Sequence, residues 1–365
     1  SNRMLTVTGG NISVSGTLLL NNSDVFITDT DAVLHCGNSG TVTCANTNLT
    51  VNAVSIGQGA FTAPSASGSF IITGEKSGLA FDYDGNQFIH NSGTIQIKTA
   101  ASTFVDFTPN DAAHVDINNV TIDHASCLAK WTHACTIAGD LLIKQGGMEP
   151  DAGNEDFTVQ GNVTIGDGTG SANTAVLGNL ADDTAAMTFG SLTIDSDGKY
   201  NATSGTTTIT SEGDGSSGTN GYAWYNVTGT YTHNNGTVSF TGSSDSDIRE
   251  DAFYNLIING ATGSVDYYIR QKDGESSSSG HVKILNNLDI QRGGFSRAKS
   301  ANELTVFGIL DICSGGTNGY FGDTSDTGIY NLGAVNIHNN GTLKLSNGAN
   351  NINSIRNISG TVTQD

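Results

Sequence analysis

Thr136-Ile137-Ala138-Gly139-Asp140-Leu141-Leu142-Ile143 is followed by Thr158-Val159-Gln160-Gly161-Asn162-Val163-Thr164-Ile165. Both segments read Thr, aliphatic, any residue, Gly, polar, aliphatic, any residue, Ile, at an offset of 22. Apolar residues at spacing two mark strands. A strand repeated at a period of twenty to fifty residues marks a stacked repeat architecture.

Working outward, the core of the motif is a polar residue, an aliphatic, any residue, and Ile or Val. It recurs from Asn48, Asn119, Ser191, Asn255, Asn287 and Glu303, with degenerate copies at Asn226-Val227, Asn331-Leu332 and Asn357-Ile358. From Asn119 onward the offsets are 21, 22, 29, 35, 29, 32, 16, 28 and 26. Tandem sandwich domains repeat at roughly 100 residues. Offsets of this size instead suit one turn of a solenoid with two or three short strands per turn. The expected fold is therefore all-β: one continuous parallel β-helix over residues 1–365 with loop insertions, least regular over residues 53–78. At about 4.8 Å per turn, roughly 14 turns would extend about 65 Å.

A second motif, His90-Asn91-Ser92-Gly93-Thr94, returns as His233-Asn234-Asn235-Gly236-Thr237 and His338-Asn339-Asn340-Gly341-Thr342. It places a left-handed residue at a corner and then a strand. In a solenoid this is the corner between two faces. In an antiparallel sheet it is a hairpin turn, so tandem antiparallel β-sandwich domains are the alternative. Helix signal is confined to residues 125–134 and 181–187.

Composition agrees with such a fold. The chain carries 47 Gly and 3 Pro in 365 residues, as frequent corners and N–H groups committed to ladders require. Charged residues are 14%, against roughly 25% in ordinary domains. The net charge of −20 argues against nucleic acid as a partner, which needs a basic footprint. No apolar run approaches the roughly 20 residues of a membrane span. Strand pattern begins at Leu5 and runs to Val362 without a charged or helical cap, so a trimmed product or self-pairing ends are expected. The residues expected to form such ends are Leu5, Val7, Ile12, Val14, Ile358 and Val362.

Phe253-Tyr254-Asn255-Leu256-Ile257-Ile258-Asn259-Gly260-Ala261, followed by residues 282–290 and 304–312, resembles right-handed β-helix surface proteins of bacteria and phages, of adhesin-like or tail-fibre and appendage type. The resemblance is one of pattern and covers most of the chain from residue 115. It implies a parallel β-helix and an extracellular, cell-surface or virion location. It carries over no site residue.

Candidate chemistry is thin. Cys36 and Cys44, like Cys127 and Cys135, are eight residues apart; both pairs are disulfide candidates, with buried thiols as the alternative. If residues 128–134 were helical, the second pair would sit about 12 Å apart, too far to bridge. Oxygen-rich turns offer weak calcium candidates at Asp82 and Asp84, and at Asp195 and Asp197. Neither has the distal Glu of an EF-hand loop. His114, His124 and His133 lack zinc spacing. Glycoside hydrolysis needs two carboxylates across a cleft, for which Asp182, Asp183, Asp245, Asp247, Glu250 and Asp251 are available. Seven basic residues fall within 249–299: Arg249, Arg270, Lys272, Lys283, Arg292, Arg297 and Lys299. They would suit an acidic-glycan or subunit contact, or simple charge balancing. Trp131, Trp224, Tyr222 and Tyr225 are candidates for a sugar-stacking platform, with core packing as the alternative. Ten Asn-x-Ser/Thr sequons occur, several inside the ladder motif itself.

The functional expectation is a non-enzymatic structural subunit of an extracellular filament, surface fibre or phage appendage, a homo-oligomer or homopolymer without a cofactor. A glycan-binding adhesin or receptor-binding module is the first alternative, and a polysaccharide-degrading β-helix enzyme the second.

Overall fold

A computed structural model describes residues 3–84, 88–105, 117–151, 155–172, 174–178, 183–213, 221–249, 251–270, 281–297, 303–315, 318–323, 328–357 and 359–364. Among them the regular structure is all strand, with no helix. The chain forms two compact units, residues 1–180 with 196–200, and residues 181–195 with 201–365.

In the first unit the strands pair in parallel, and over residues 3–105 strands three apart in the chain lie side by side. Arg3–Val7, Ser23–Ile27, Asn48–Val51, Ser69–Ile72 and Thr94–Ile97 form one row. Ile12–Val14, Val33–Cys36, Ala53–Ile56, Leu79–Tyr83 and Ser102–Val105 form a second. Thr17–Leu19, Thr41–Thr43, Ala60–Thr62 and Phe88–Ile89 form a third. From Asn119 the first two rows fuse into single long strands, Asn119–Trp131 and Leu141–Pro150, with a register shift at the bend.

The register places like residues on like. Val7, Ile27, Val51, Ile72, Ile97, Ile122, Ile143 and Ile165 form one continuous apolar file, and all but Val7 are fully buried. Burying such a side chain is worth roughly 1.5–3 kcal/mol. The opening segments meet as their offset of 22 demands: Thr136 lies beside Thr158, Leu141 beside Val163 and Ile143 beside Ile165. The glycine between them has a steric reason. A Cβ at Gly161 would sit 2.3 Å from Asp140 Oδ1 and 2.6 Å from the Gly139 carbonyl oxygen.

The second unit uses the same register logic. Phe189, Ile209, Phe240, Ile258, Ile290, Ile312 and Ile337 stack in file. Val282, Leu304 and Tyr330 form another file.

Several expectations are corrected. The named strands pair in parallel, so the antiparallel alternative does not hold and the His-Asn-x-Gly segments are not hairpin turns. They are corners, with left-handed backbone at Asn91, Ser92, Asn234, Asn235 and Asn340. His90 Nδ1 accepts from Ser92 N at 2.9 Å, and His233 Nδ1 from Asn235 N at 3.0 Å. Residues 125–134 are not helical; strand runs through Trp131. Of residues 181–187, Met187 begins a strand, and 181 and 182 lie outside the described residues. Residues 53–78 are not irregular, since they hold three strands in register with both neighbours.

Replacing Ile143 by Ala should cost about 2–5 kcal/mol, the usual range for emptying a core aliphatic site. Leu142→Ala, on the outward face, should cost much less. Urea unfolding followed by circular dichroism measures both.

Candidate functional site

In several motif copies the opening polar residue is committed to the turn that follows it. Asn119 Oδ1 accepts from Asp140 N at 2.8 Å, and Asp140 Oδ1 accepts from Asn162 N at 2.7 Å. Asn287 Oδ1 accepts from Ile309 N at 3.0 Å in the second unit. These side chains satisfy corner amides that the ladder leaves over.

Most of the candidate chemistry is absorbed in the same way. Asp197 is fully buried, and its carboxylate accepts from Gly168 N and Gly170 N, each at 3.0 Å. It clamps a loop. Asp82 accepts from Ser55 Oγ at 3.1 Å; Asp84 and Asp195 are also engaged. The Asp82 turn continues into Gly85 and Asn86, which lie outside the described residues. Among the described residues no group of three or more His, Cys, Asp or Glu is arranged to hold a metal. His124 Nδ1 accepts from Ser126 N at 3.2 Å and His133 Nδ1 lies 3.0 Å from Thr132 Oγ1. His114 lies outside the described residues.

The described carboxylates proposed for glycoside hydrolysis are engaged with their own partners. Asp245 Oδ1 accepts from Asp266 N at 2.8 Å. Asp251 Oδ2 accepts from Trp224 Nε1 at 3.2 Å and Asn226 Nδ2 at 2.8 Å. Asp183 Oδ1 accepts from Ala185 N at 2.8 Å. Asp247 is fully buried. Asp182 and Glu250 lie outside the described residues.

The aromatic candidates are core or covered. Trp131 stacks on Phe157 with centroids 4.5 Å apart, and Trp224 packs edge-on against Tyr231 and Phe253. Tyr222 stacks on Tyr225 at 4.4 Å, and the Arg249 guanidinium covers Tyr225 at 4.6 Å. Arg249 is thus fully buried, Lys283 is exposed, and Arg292 Nε donates to the Gly260 carbonyl. The basic residues with described side chains share no common setting. Arg270 and Arg297 lie in strands; Lys272 and Lys299 lie outside the described residues.

Neither expected disulfide is present. Cys36, Cys44 and Cys127 are free thiols, and all five cysteines are buried. Cys36 Sγ donates to the Ala60 carbonyl at 3.6 Å, and Cys127 Sγ lies 3.3 Å from Thr99 Oγ1. Burial, reinforced by Cys36 nearby, pushes the Cys44 thiol up to about 12.

Two constellations escaped sequence reasoning because their members lie on successive turns. The first is His35, Ser55 and Asp82, stacked across neighbouring strands. His35 Nδ1 lies 3.2 Å from Ser55 Oγ, which donates to Asp82 Oδ2. The serine has one proton and gives it to Asp82, so His35 Nδ1 is the donor to Ser55. A histidine donating to the serine is in the wrong role for a general base. The set is a polar rung.

The second is a cleft of about 400 Å³ between the outward edges of Asn119–Trp131, Leu141–Pro150 and Ala175–Leu177. Gly147, without a side chain, stands in the outward row between Leu128 and Val176. A Cβ at Gly147 would lie 3.0 Å from Leu128 Cδ1. Glu149 lines the cleft and is only 5% exposed. Lys130 Nζ lies 3.5 Å from Glu149 Oε1 and 3.6 Å from Asp151 Oδ1.

No family model matches the chain, and neither a curated protein nor a solved structure does.

Two predictions follow from these environments. The thiols of Cys36, Cys44 and Cys127 should stay unreactive toward an aromatic disulfide reagent in the native protein and all titrate in guanidinium without reductant.

The second concerns pH. Burial raises the Asp82 carboxyl, with the Ser55 hydrogen bond opposing. Its stabilising contribution is therefore full below the unfolded value and is lost as pH rises through the folded one. Asp123 is held low: burial opposes, but hydrogen bonds from Lys98 and Gln145 prevail. Its contribution is present above the unfolded value and lost as pH falls through the folded one. Asp123→Asn should destabilise at neutral pH but not in acid. Asp82→Asn should remove the loss of stability that accompanies rising pH. Urea unfolding across a pH series, with carboxyl-carbon NMR, reads both.

Proposed function

We propose that the chain is a parallel β-solenoid with a mechanical role: a non-enzymatic subunit of an extracellular filament, surface fibre or phage appendage, joined to further copies through sheet edges. The observation that carries this reading is the pair of strands that have a hydrogen-bonded neighbour on one side and apolar side chains in the open. Arg3–Val7 pairs with Ser23–Ile27, and Met4 and Leu5 are 74% and 39% exposed. Asn350–Asn357 pairs with Ile329–Ile337, and Ile355 is 46% exposed. Val362, on Thr361–Thr363, is 42% exposed. An edge of this kind is a template for another strand. Val7 and Ile12 are half-buried and Val14 is buried; Ile358 lies outside the described residues.

Support also comes from how little is left over for chemistry, since the candidate carboxylates with described bonds serve turns and corners. The sparse charge and the Ser, Thr and Asn surface suit an extracellular setting. Among the described residues no helix is long and apolar enough to cross a membrane.

Electron microscopy and analytical ultracentrifugation over a concentration series test the reading. Ordered assemblies are expected, and Met4→Lys with Leu5→Lys should abolish them by placing charge on the edge, with circular dichroism unchanged. Monodisperse single particles at high concentration, or assembly untouched by the edge charges, would sink it.

A further inference from the structure

An Asn-Gly dipeptide carries its own reagent. The backbone nitrogen of the glycine can attack the asparagine carboxamide, because no Cβ stands in the way. The chain has six such dipeptides, with asparagines at 220, 235, 259, 318, 340 and 347. Asn220 lies outside the described residues. The others differ in what the fold does with the glycine N–H.

Four are set in place by the fold. Asn235 and Asn340 are left-handed residues of the His-Asn-x-Gly corners, with φ of 60° and 65°. Gly236 N donates to the His233 carbonyl at 2.8 Å, and Gly341 N to the His338 carbonyl at 2.9 Å. Asn259 closes the strand Asn255–Asn259, and Gly260 N donates to the Arg292 carbonyl at 3.1 Å. Gly319 opens the strand Gly319–Phe321 and pairs with Gly293. A nitrogen held against a carbonyl oxygen must give up that bond before it can lose its proton and turn on the side chain, and that takes a local opening of the ladder.

Asn347 is set differently. It is exposed, on the loop between Thr342–Lys344 and Asn350–Asn357. Among the described residues neither its carboxamide nor the Gly348 N–H makes a hydrogen bond. Asn350 clasps the loop on both sides of the dipeptide: its Oδ1 accepts from Ser346 N at 3.1 Å, and its Nδ2 donates to the Gly348 carbonyl at 3.2 Å. The clasp engages the Gly348 oxygen and leaves the Gly348 nitrogen uncommitted.

We propose that Asn347 is a site of spontaneous modification, converting to aspartate and isoaspartate while the asparagines of the corners persist. Solvent base takes the Gly348 amide proton, and the nitrogen attacks Asn347 Cγ. A Cγ–N bond forms, the Cγ–Nδ2 bond breaks, and Nδ2 leaves as ammonia, which recovers the proton through solvent. Water then opens the cyclic imide at either carbonyl. Opening at the backbone carbonyl routes the main chain through Cβ and Cγ. Opening at Cγ restores the main chain and leaves a side-chain carboxylate. Nothing is oxidised or reduced, and water is the sole co-reactant. Either product places a negative charge on a loop outside the named ladders. The proposal concerns the chain's own chemistry and does not depend on assembly.

Incubation of the full chain in mildly alkaline buffer, with peptide mapping by mass spectrometry at intervals, tests it. Electron-transfer fragmentation separates isoaspartate from aspartate. In the folded protein residue 347 should convert about tenfold or more faster than residues 235, 259 and 340, since each of those waits on local opening. In guanidinium the four rates should draw within about threefold of one another, because unfolding removes what distinguishes the dipeptides. Gly348→Ala should slow conversion at residue 347 several-fold by placing a Cβ beside the attacking nitrogen, with residue 235 unaffected. Two results would overturn the proposal: residue 347 converts no faster than residues 235 and 340 in the folded chain, or its lead persists undiminished in guanidinium.

Discussion

Parallel backbone pairing between each strand and its counterpart one repeat earlier or later is the constraint on which the rest depends. It fixes where every side chain of one turn lies relative to the next. An aliphatic residue must sit on an aliphatic residue, because a neighbour directly beside it faces the same dry interior. The file from Val7 to Ile165 is the result. The same constraint demands glycine where a carboxamide or carboxylate tucks against the next corner. At Gly139 a Cβ would lie 2.1 Å from Asn119 Oδ1, and at Gly308 2.7 Å from Asn287 Oδ1. The Gly-polar pair in the motif is one device with two parts.

How far this could be read from sequence varied with the local regularity of the chain. The 22-residue offset between Thr136 and Thr158 is a true register, because nothing is inserted between the two turns. The offset of 16 between Asn287 and Glu303 was two rows conflated. Leu288 pairs with Leu310, whereas Leu304 pairs with Val282 and Tyr330. Both rows obey the same alternation, so periodicity alone does not tell them apart. Asn226 was aligned to the opening place of the motif, three positions from the place it occupies. It occupies the inward place beside Ile194, buried and bonded to Asp251. An asparagine in an aliphatic file defeats a pattern built on hydrophobicity. The exposed aliphatic at the far edge is Ile355, beside Val335, for the same reason.

The candidate sites were less legible than the fold. Sequence neighbours such as Asp245, Asp247 and Asp251 attract attention as a cluster, yet each finds its own partners. The groups that do converge, Lys130 with Glu149 or His35 with Ser55 and Asp82, are separated by a turn or two. Their proximity is a property of register, which a linear reading reaches only after every insertion has been placed. The cysteines show the opposite error. Close spacing suggested bridges, but the cysteines are buried, and Cys36 and Cys127 each have a backbone or hydroxyl neighbour of their own.

The chain of side-chain to backbone bonds from Asn119 to Asp140 to Asn162 has a direction. Each polar side chain serves the corner amide of the turn that follows and asks nothing of that turn's side chain in return. A defect at Asp140 therefore orphans an amide downstream and leaves the upstream corner intact. At Asp140 the side toward the preceding turn thus presents an amide donor and the side toward the following turn a carboxylate acceptor. Whatever is laid against one side of such a turn must differ in kind from what is laid against the other.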